Sequence, residues 1–196
     1  MSAPASETPP RVGAPRHFGR WQLLRLVGKS QHTMNWLVAE RDGHPLMLVI
    51  PRVAPPAGPA LDRWMQNVRR AARLAHPQIA PAVDVGVQDG WPYAAYDMNG
   101  RSTLADLPRK GLPGPEAATL SNGLLLGLAY AHEAGVTHGD IQPGMCIVDE
   151  QGQASLAGLE VASESPAAQA LAAAAITAAG SQLSTQRAAA ERDVLA

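Results

Sequence analysis

Few residues of this 196-residue chain combine a reactive side chain with a context that could support chemistry. The run His138-Gly139-Asp140 places an imidazole and a carboxyl group two residues apart, and these are the usual groups for proton transfer in proteins. The other candidate is Cys146, the only cysteine. Its neighbours are mostly apolar, and a free cysteine in such a context usually packs as a small hydrophobic side chain. We therefore expect Cys146 in the core and not at an active site.

The composition indicates a globular protein with a real core, because 46% of the residues are apolar. Sixteen basic and seventeen acidic residues give a net charge of -1, which predicts no binding to nucleic acid or to an anionic membrane surface. A single cysteine excludes an internal disulfide framework and favours a reducing, cytoplasmic location. The alanine-rich run Ala167–Gly180 is too short to span a membrane, since a span needs about 20 apolar residues.

The elements that would position His138 and Asp140 fall into two halves. Residues 1–17 are rich in Pro, Ala and Ser and predict a disordered tail. After this tail, period-two patterns and turn residues such as Asp42-Gly43 predict strands, and apolar residues at three- and four-residue spacing predict one amphipathic helix. The predicted strands are Trp21–Gly28, Met34–Glu40, Leu46–Ile50, Ala82–Val87 and Trp91–Met98, and the helix is Leu61–Ala75.

The second half begins after Gly100 and is predicted to be richer in helix. Ser102 or Thr103 is a candidate N-cap, and Pro115–Ala134 predicts a long helix that Gly135 ends. Short strands are predicted at Met145–Glu150 and Ala154–Leu159. Strands with one helix, followed by a mainly helical half, indicate an α+β protein with two lobes.

Three segments in this order resemble the bacterial serine/threonine protein kinases. FGRWQLLRLVG resembles the opening strand of that family. RRAARLAHPQIAPAVDVGVQDGWPYAAYDM resembles its αC helix and the two strands that lead to the hinge, and GLAYAHEAGVTHGDIQP resembles its αE helix and catalytic loop. The resemblance implies a β-rich N-lobe with its hinge at residues 18–98 and a partial helical C-lobe at residues 99–196.

The same resemblance indicates that the C-lobe is reduced. Residues 163–192 take the place of the activation segment but are low in complexity. Residues 193–196 resemble only the beginning of the αF helix, so the chain is either a fragment of a longer protein or a protein with a shortened lobe.

The resemblance assigns catalytic positions, and most of them carry other residues here. Asp140 matches the catalytic base, whereas His138 is expected to be a hydrogen-bonded structural residue of the loop. Met145 replaces an asparagine that binds metal, and a thioether is a poor ligand for a hard cation. Gly158 replaces the metal-binding aspartate. Glu160 lies two residues later and would reach a Mg²⁺ ion only if the loop took a different path. We therefore predict no metal site.

The nucleotide positions are altered as well. Phosphoryl transfer needs phosphates held by a glycine-rich loop and by a lysine paired with a glutamate. Gly28 is the only glycine left in the loop, and the side chains of Ser30 and Thr33 would hinder close approach of phosphate. Val49 stands at the lysine position, with Arg52 as the nearest basic alternative, and Asn67 stands at the glutamate position. The predicted nucleotide cleft is formed by Gly28, the gatekeeper Tyr96 and the hinge residues Asp97 and Met98.

These losses predict a pseudokinase, that is, a kinase-like module that binds or regulates a protein partner, such as an active kinase or another signalling protein, and does not transfer phosphate. No cofactor is expected, although ATP could bind without Mg²⁺ through backbone contacts at the hinge. The alternative is a weak protein kinase or small-molecule phosphotransferase that uses Asp140, because the run HGDIQPGM also resembles the catalytic loop of aminoglycoside phosphotransferases. A third reading is a decayed or truncated gene product without an independent function.

Overall fold

The computed structural model of the protein describes residues 16–107 and 112–162, with side chains at all of these positions except 60, 63, 64, 67 and 162. The predictions for residues 1–15 and for the activation-segment-like stretch 163–192, together with residues 193–196, lie outside the described residues. The side chain of Asn67 does so as well.

A six-stranded antiparallel sheet forms most of the first half. Its strands lie in the spatial order β1-β2-β3-β4-β6-β5. They are β1 Arg16–Phe18, β2 Trp21–Lys29, β3 Thr33–Ala39, β4 Pro45–Pro51, β5 Asp84–Gln88 and β6 Trp91–Asp97. The two hairpins predicted from the turn residues are confirmed. Gly43 and the pair Asp89-Gly90 all have positive φ angles, which the two tight turns require.

Helix α1 crosses from β4 to β5 and comprises Pro59–Ala71. Gly58, with φ 87°, ends the preceding loop, and Pro59 begins the helix, a position where its missing N–H is not needed. The predicted range of 61–75 was therefore wrong by two residues at the start and four at the end, because Ala72 already caps the helix.

Strand β4 also extends through Pro51, which pairs with Thr33 at the end of the ladder and not in its interior.

The described part of the second half, residues 99–107 and 112–162, contains one long helix and a small sheet of three strands. The strands are β7 Ser102–Thr103, β8 Cys146–Val148 and β9 Ala154–Leu156, and the helices are α2 Gly114–Glu133 and α3 Leu159–Ala162. Thr103 is an N-cap as predicted, although the helix it begins is only a 3₁₀ turn, Leu104–Asp106. Gly135, with φ 72°, follows the end of α2 and allows its N–H to close the last turn on His132. The predicted α+β class with a sheet-rich first half is confirmed.

One hydrophobic core crosses the predicted boundary between residues 98 and 99. It joins the face of β4 and β6 to the second half of the chain. Its buried members are Met47, Val49, Ala80, Ala94, Tyr96, Met98, Met145, Ile147, Ala157 and Val161. A second cluster packs α1, α2 and α3 together through Ala71, Ala131 and Leu159. The two halves are therefore held face to face by buried apolar surface, and the predicted site lies along this junction.

Strand β1 begins at Arg16, so the predicted boundary of the tail at residue 17 falls inside a strand. Within the part of the chain that the structure describes, no helix is long and apolar enough to cross a membrane.

Candidate functional site

The carboxylate of Asp140 lies at the junction between the two halves and accepts three hydrogen bonds on one oxygen. Ser30 Oγ donates to Asp140 Oδ2 at 2.8 Å, and Thr33 Oγ1 donates to the same atom at 2.6 Å. Gln142 Nε2 adds a third contact to Oδ2 at 3.2 Å. The side chain that matches a catalytic base is therefore bonded to the very loop in which the resemblance expects glycines.

Short-range contacts fix this loop in place. Ser30 Oγ accepts the backbone N–H groups of His32 and Thr33 at 2.8 and 3.0 Å, which closes a tight turn between β2 and β3. Gln142 Nε2 also donates to Thr33 Oγ1 at 2.9 Å. Arg52 donates from its backbone to the carbonyl of His32 and from its guanidinium to the carbonyl of Ser30 at 3.1 Å. Arg52 is exposed and supports the loop from outside.

Two glycines allow strand β2 to lie directly against the turn that follows Asp140. A Cβ atom added at Gly28 would lie 3.1 Å from both Asn35 Nδ2 and Gln142 Oε1. A Cβ added at Gly144 would lie 3.0 Å from Val27 Cγ1. The register of β2 shifts between Leu26 and Gly28, and such a bulge can redirect a strand. The space beside Gly28 is thus occupied by protein atoms.

Both ring nitrogens of His138 are hydrogen-bonded to backbone groups. The ring is buried, its Nε2 lies 2.9 Å from the carbonyl oxygen of Ala157, and its Nδ1 accepts the N–H of Asp140 at 3.3 Å. Because a carbonyl only accepts, Nε2 carries the proton and the ring is neutral. Burial lowers the pKa of His138, in keeping with this neutral form.

The two positions that match metal ligands contact each other. Met145 is fully buried, and Gly158 has a φ angle of 91°. A Cβ atom added at Gly158 would lie 2.9 Å from Met145 Sδ, so the thioether occupies the space that a side chain at position 158 would need. Among the described residues, no group of three or more His, Cys, Asp or Glu side chains is placed to hold a metal ion.

Behind these positions lies a buried polar cluster that sequence reasoning missed. The hydroxyl of Tyr96 accepts the N–H of Gly158 at 2.8 Å and donates to the carboxylate of Glu160. Tyr96 is 0% exposed and Glu160 is 3% exposed. Burial raises the pKa of Glu160, and burial together with the nearby carboxylate raises that of Tyr96 well above its usual value. The side chain of Glu160 faces the gatekeeper Tyr96. Binding of Mg²⁺ by Glu160, as considered from the sequence, would require a different path of the loop.

The position that matches the family's lysine lies in apolar surroundings. Val49 is fully buried in the core that contains Tyr96, Met145 and Val161. It lies opposite Asn35 in the ladder between β3 and β4.

Cys146 is buried as predicted, and burial raises the pKa of its thiol to about 11, so the thiol is protonated at neutral pH.

The backbone groups of the hinge residues form hydrogen bonds to other residues of the chain. The N–H of Met98 donates to the carbonyl of Pro45 at 3.1 Å, and the carbonyl of Met98 accepts the N–H of Arg101 at 3.1 Å. The carbonyl of Asp97 accepts from the Arg101 guanidinium at 3.2 Å. The Asp97 carboxylate accepts from Asn99 and lies 2.9 Å from His44 Nε2, and the N–H of Asn99 is the main cause of its lowered pKa.

The chain resembles known kinases over most of the described region. It is 29% identical over 141 residues to the DNA damage-responsive serine/threonine-protein kinase RqkA of Deinococcus radiodurans, covering 68% of this chain and 21% of that protein. It is 29% identical over 142 residues to the serine/threonine-protein kinase PknI of Mycobacterium bovis, covering 68% of this chain and 24% of the relative. The alignments thus span about a fifth to a quarter of the curated relatives. No protein-family model matches the chain.

A solved structure shows the same fold. A crystal structure of the PknI kinase domain of Mycobacterium tuberculosis, in a double-mutant form, superposes with a TM-score of 0.56 at 26% identity. The match covers 79% of this chain and 66% of that domain. The fold and the site thus define a protein-kinase-like chain. The two relatives named above are bacterial serine/threonine protein kinases, which supports the resemblance to that family seen in the sequence. These similarities show a kinase-like fold and support a kinase-like family, and they test neither catalytic activity nor its loss.

Proposed function

We propose that this chain is a pseudokinase, a protein-kinase-like binding module that does not transfer phosphate. The observation that carries the proposal is the direct contact between the two metal-ligand positions. The Met145 thioether fills the space beside Gly158, where the family has a carboxylate. Phosphoryl transfer depends on metal ions that bridge the phosphates, and neither a thioether nor a glycine side chain can hold Mg²⁺.

The state of Asp140 supports the same proposal. A catalytic base must accept a proton from the substrate hydroxyl within hydrogen-bond distance. Here the Oδ2 atom of Asp140 already accepts from Ser30, Thr33 and Gln142. A substrate hydroxyl at that oxygen would have to displace these donors.

The hinge and the loop also argue for a module that works without Mg²⁺-nucleotide. The backbone groups of Met98 that would meet adenine are bonded to Pro45 and Arg101, and the space beside Gly28 is filled by Asn35 and Gln142. ATP without Mg²⁺ would have to replace these contacts.

The proposed role is to recruit or regulate a protein partner, such as an active kinase or another signalling protein, in the cytoplasm. The nearly balanced charge supports a protein and not a nucleic acid or a membrane as the partner. The relatives that are serine/threonine protein kinases indicate a signalling context.

Thermal stability with ATP, ADP and AMP-PNP, each with and without Mg²⁺, tests the proposal. A ligand that binds only the folded protein stabilises it by about 2.7 kcal/mol at a hundredfold excess over its dissociation constant. We expect no Mg²⁺-dependent shift in melting temperature and no transfer of labelled phosphate from ATP to protein. A shift without metal dependence would leave a pseudokinase that binds nucleotide.

The alternative, a weak phosphotransferase that uses Asp140, has its own signature. It requires a Mg²⁺-dependent shift together with phosphate transfer, and the Asp140→Asn variant must lose the transfer while keeping the shift. That pair of results would overturn the proposal. An active kinase assayed in parallel is the positive control for both measurements.

A further inference from the structure

We propose that Asp140 is the acceptor of a reversible latch that holds the β2–β3 loop closed over the second half of the chain, and that buried Asn35 limits the strength of this closure. The latch comprises Ser30, Thr33, Asp140 and Gln142. The inference concerns the conformation of the cleft and does not depend on whether the protein binds a nucleotide.

The latch joins parts of the chain that are far apart in sequence. Ser30 is 110 residues from Asp140, and Thr33 is 109 residues from Gln142. Each of these bonds therefore forms only when the loop and the Asp140 turn come together. Hydrogen bonds to an ionised carboxylate are shorter and stronger than neutral ones, and the two hydroxyl contacts to Asp140 measure 2.8 and 2.6 Å. The loop is thus held by a small number of strong hydrogen bonds to one distant segment of the chain.

Water has access to the latch. Ser30, Asp140 and Gln142 are each only partly buried, whereas Thr33 is buried beneath them. When the latch opens, water can replace the lost donors and acceptors, so opening leaves none of these three side chains without a partner. A latch of this kind can break without unfolding the sheet behind it.

Asn35 lies buried behind the latch, and its unpaired side-chain amide makes closure of the loop less favourable. It lies on β3, is 0% exposed, and neither its Nδ2 nor its Oδ1 atom has a hydrogen-bond partner among the described residues. Its amide lies 3.1 Å from the site of a Cβ on Gly28 and 3.3 Å from that of a Cβ on Gly144, so it faces the closed β2–turn contact. Burying an amide without a partner is unfavourable, and opening the loop would return this amide to water.

The hydrogen bonds of the latch therefore favour the closed loop, and burial of the unpaired Asn35 amide opposes it. Each of these two contributions can be changed by a separate substitution. Thr33→Val removes a latch donor while keeping a β-branched side chain at that position. Asn35→Val removes the unpaired amide and suits a buried strand. The first substitution should open the loop and the second should close it more firmly.

Hydrogen–deuterium exchange of the full chain, without added ligand, measures this opening. We expect Thr33→Val, and Ser30→Ala independently, to raise the exchange rate of the amides in residues 28–36 by about tenfold. Asn35→Val should lower the rate in the same residues by a similar factor, and Thr33→Val combined with Asn35→Val should return it close to the wild-type rate.

The β5–β6 hairpin, residues 84–97, is the internal control, because its strands make no latch contact. Ser121→Ala, on the exposed face of α2, is the control for loss of a hydroxyl group. Unchanged exchange in residues 28–36 of both the Thr33 and the Ser30 variants would overturn the latch. An equal increase in residues 84–97 would also overturn it, because that pattern indicates general destabilisation. Faster exchange in Asn35→Val would overturn the role given to Asn35.

Discussion

The front and the back of the cleft use polar side chains in opposite ways. At the front, three members of the latch, Ser30, Asp140 and Gln142, are only partly shielded from water, whereas the fourth, Thr33, is buried. At the back, Tyr96, Glu160 and the N–H of Gly158 form a cluster from which water is almost entirely excluded. The first set of bonds can exchange with water, whereas the second cannot do so without unfolding.

This difference separates a movable contact from a structural one. A hydrogen bond that water can replace contributes little net stability, but a buried polar group that loses its partner carries the full penalty of desolvation. The back cluster should therefore govern the stability of the fold, and the front latch should govern the local opening of the loop. Four tests can break or sharpen this contrast, in order of decreasing expected effect.

Removal of the Tyr96 hydroxyl should produce the largest effect. Tyr96→Phe leaves the Glu160 carboxyl group and the Gly158 N–H buried without their shared partner, and we expect it to lower the free energy of unfolding by about 3 kcal/mol. Tyr93→Phe is the matched control, because the Tyr93 hydroxyl bonds Asp84 at 3.1 Å in a partly buried position. Denaturant unfolding of both variants measures the difference. Equal losses for Tyr96 and Tyr93 would contradict the contrast between buried and accessible bonds.

A side chain at Gly158 should be the next most disruptive change. Gly158→Ala would force a Cβ into a positive φ angle and to within 2.9 Å of the buried Met145 Sδ, and we expect a loss of roughly 2 kcal/mol. Gly152→Ala separates the two causes, because Gly152 has a φ angle of 74° but no heavy atom within 4 Å of an added Cβ. That control should cost about 1 kcal/mol from backbone strain alone.

The contact with Met145 can be isolated by a double-mutant cycle. Met145→Ala should be destabilising by itself because it empties a buried site, yet it should relieve part of the Gly158→Ala penalty. Additive losses in the double variant would show that the two metal-ligand positions are not coupled, and would remove the observation that supports the lack of a metal site.

The pH dependence of stability gives a third test. The stability difference that the Glu160 carboxyl group causes should be zero at acidic pH and should grow as the pH rises. Burial raises the pKa of Glu160 above its ordinary value of 4.5, so the folded protein binds this proton more tightly than the unfolded chain does. The free energy of unfolding should then fall as pH rises from about 4.5 through the raised pKa and stay level above it.

Glu160→Gln keeps a neutral hydrogen-bonding group beside Tyr96 and should remove this fall. Its unfolding midpoint should match that of the wild type near pH 4.5 and exceed it increasingly at higher pH. Glu150→Gln, at an exposed position, is the control and should leave the wild-type slope in place. A pH slope in Glu160→Gln equal to that of the wild type would assign the proton uptake to another group.

The strands and helices were largely predictable because their signals are local. The Asp42-Gly43 turn, the amphipathic spacing in α1 and Gly135 after α2 each act within a few residues of the chain. The bonds across the cleft depend instead on contacts over about 110 residues, which no local pattern reports. Ser30 and Thr33 were read as obstacles to phosphate, and their hydroxyl groups turn out to donate to Asp140.

The back of the cleft shows the same limit for a single residue. Glu160 lies in the apolar run Gly158–Val161, and a carboxyl group in such a run is a signal of burial that could have been noticed. Its partner could not be inferred, because Tyr96 is 64 residues away and lies in strand β6, whereas Glu160 lies in helix α3. Alignment with a kinase motif located the position of Glu160, but packing decides which way its side chain points.

The smallest effect is expected where the two halves meet through an exposed ion pair. Arg25 Nη2 lies 2.7 Å from Asp106 Oδ1, with 49% and 29% of the two side chains exposed. Arg25→Met should cost no more than about 0.5 kcal/mol, because exposed pairs are weakened by hydration and by salt. Asp106→Ala should cost about 1 kcal/mol, because it also removes the capping box that joins Asp106 to Thr103. Unfolding in low and high salt distinguishes the two contributions, since only the ion pair should weaken with salt. A loss of several kcal/mol in Arg25→Met would show that accessible contacts at the front carry stability after all, and the contrast between front and back would fail.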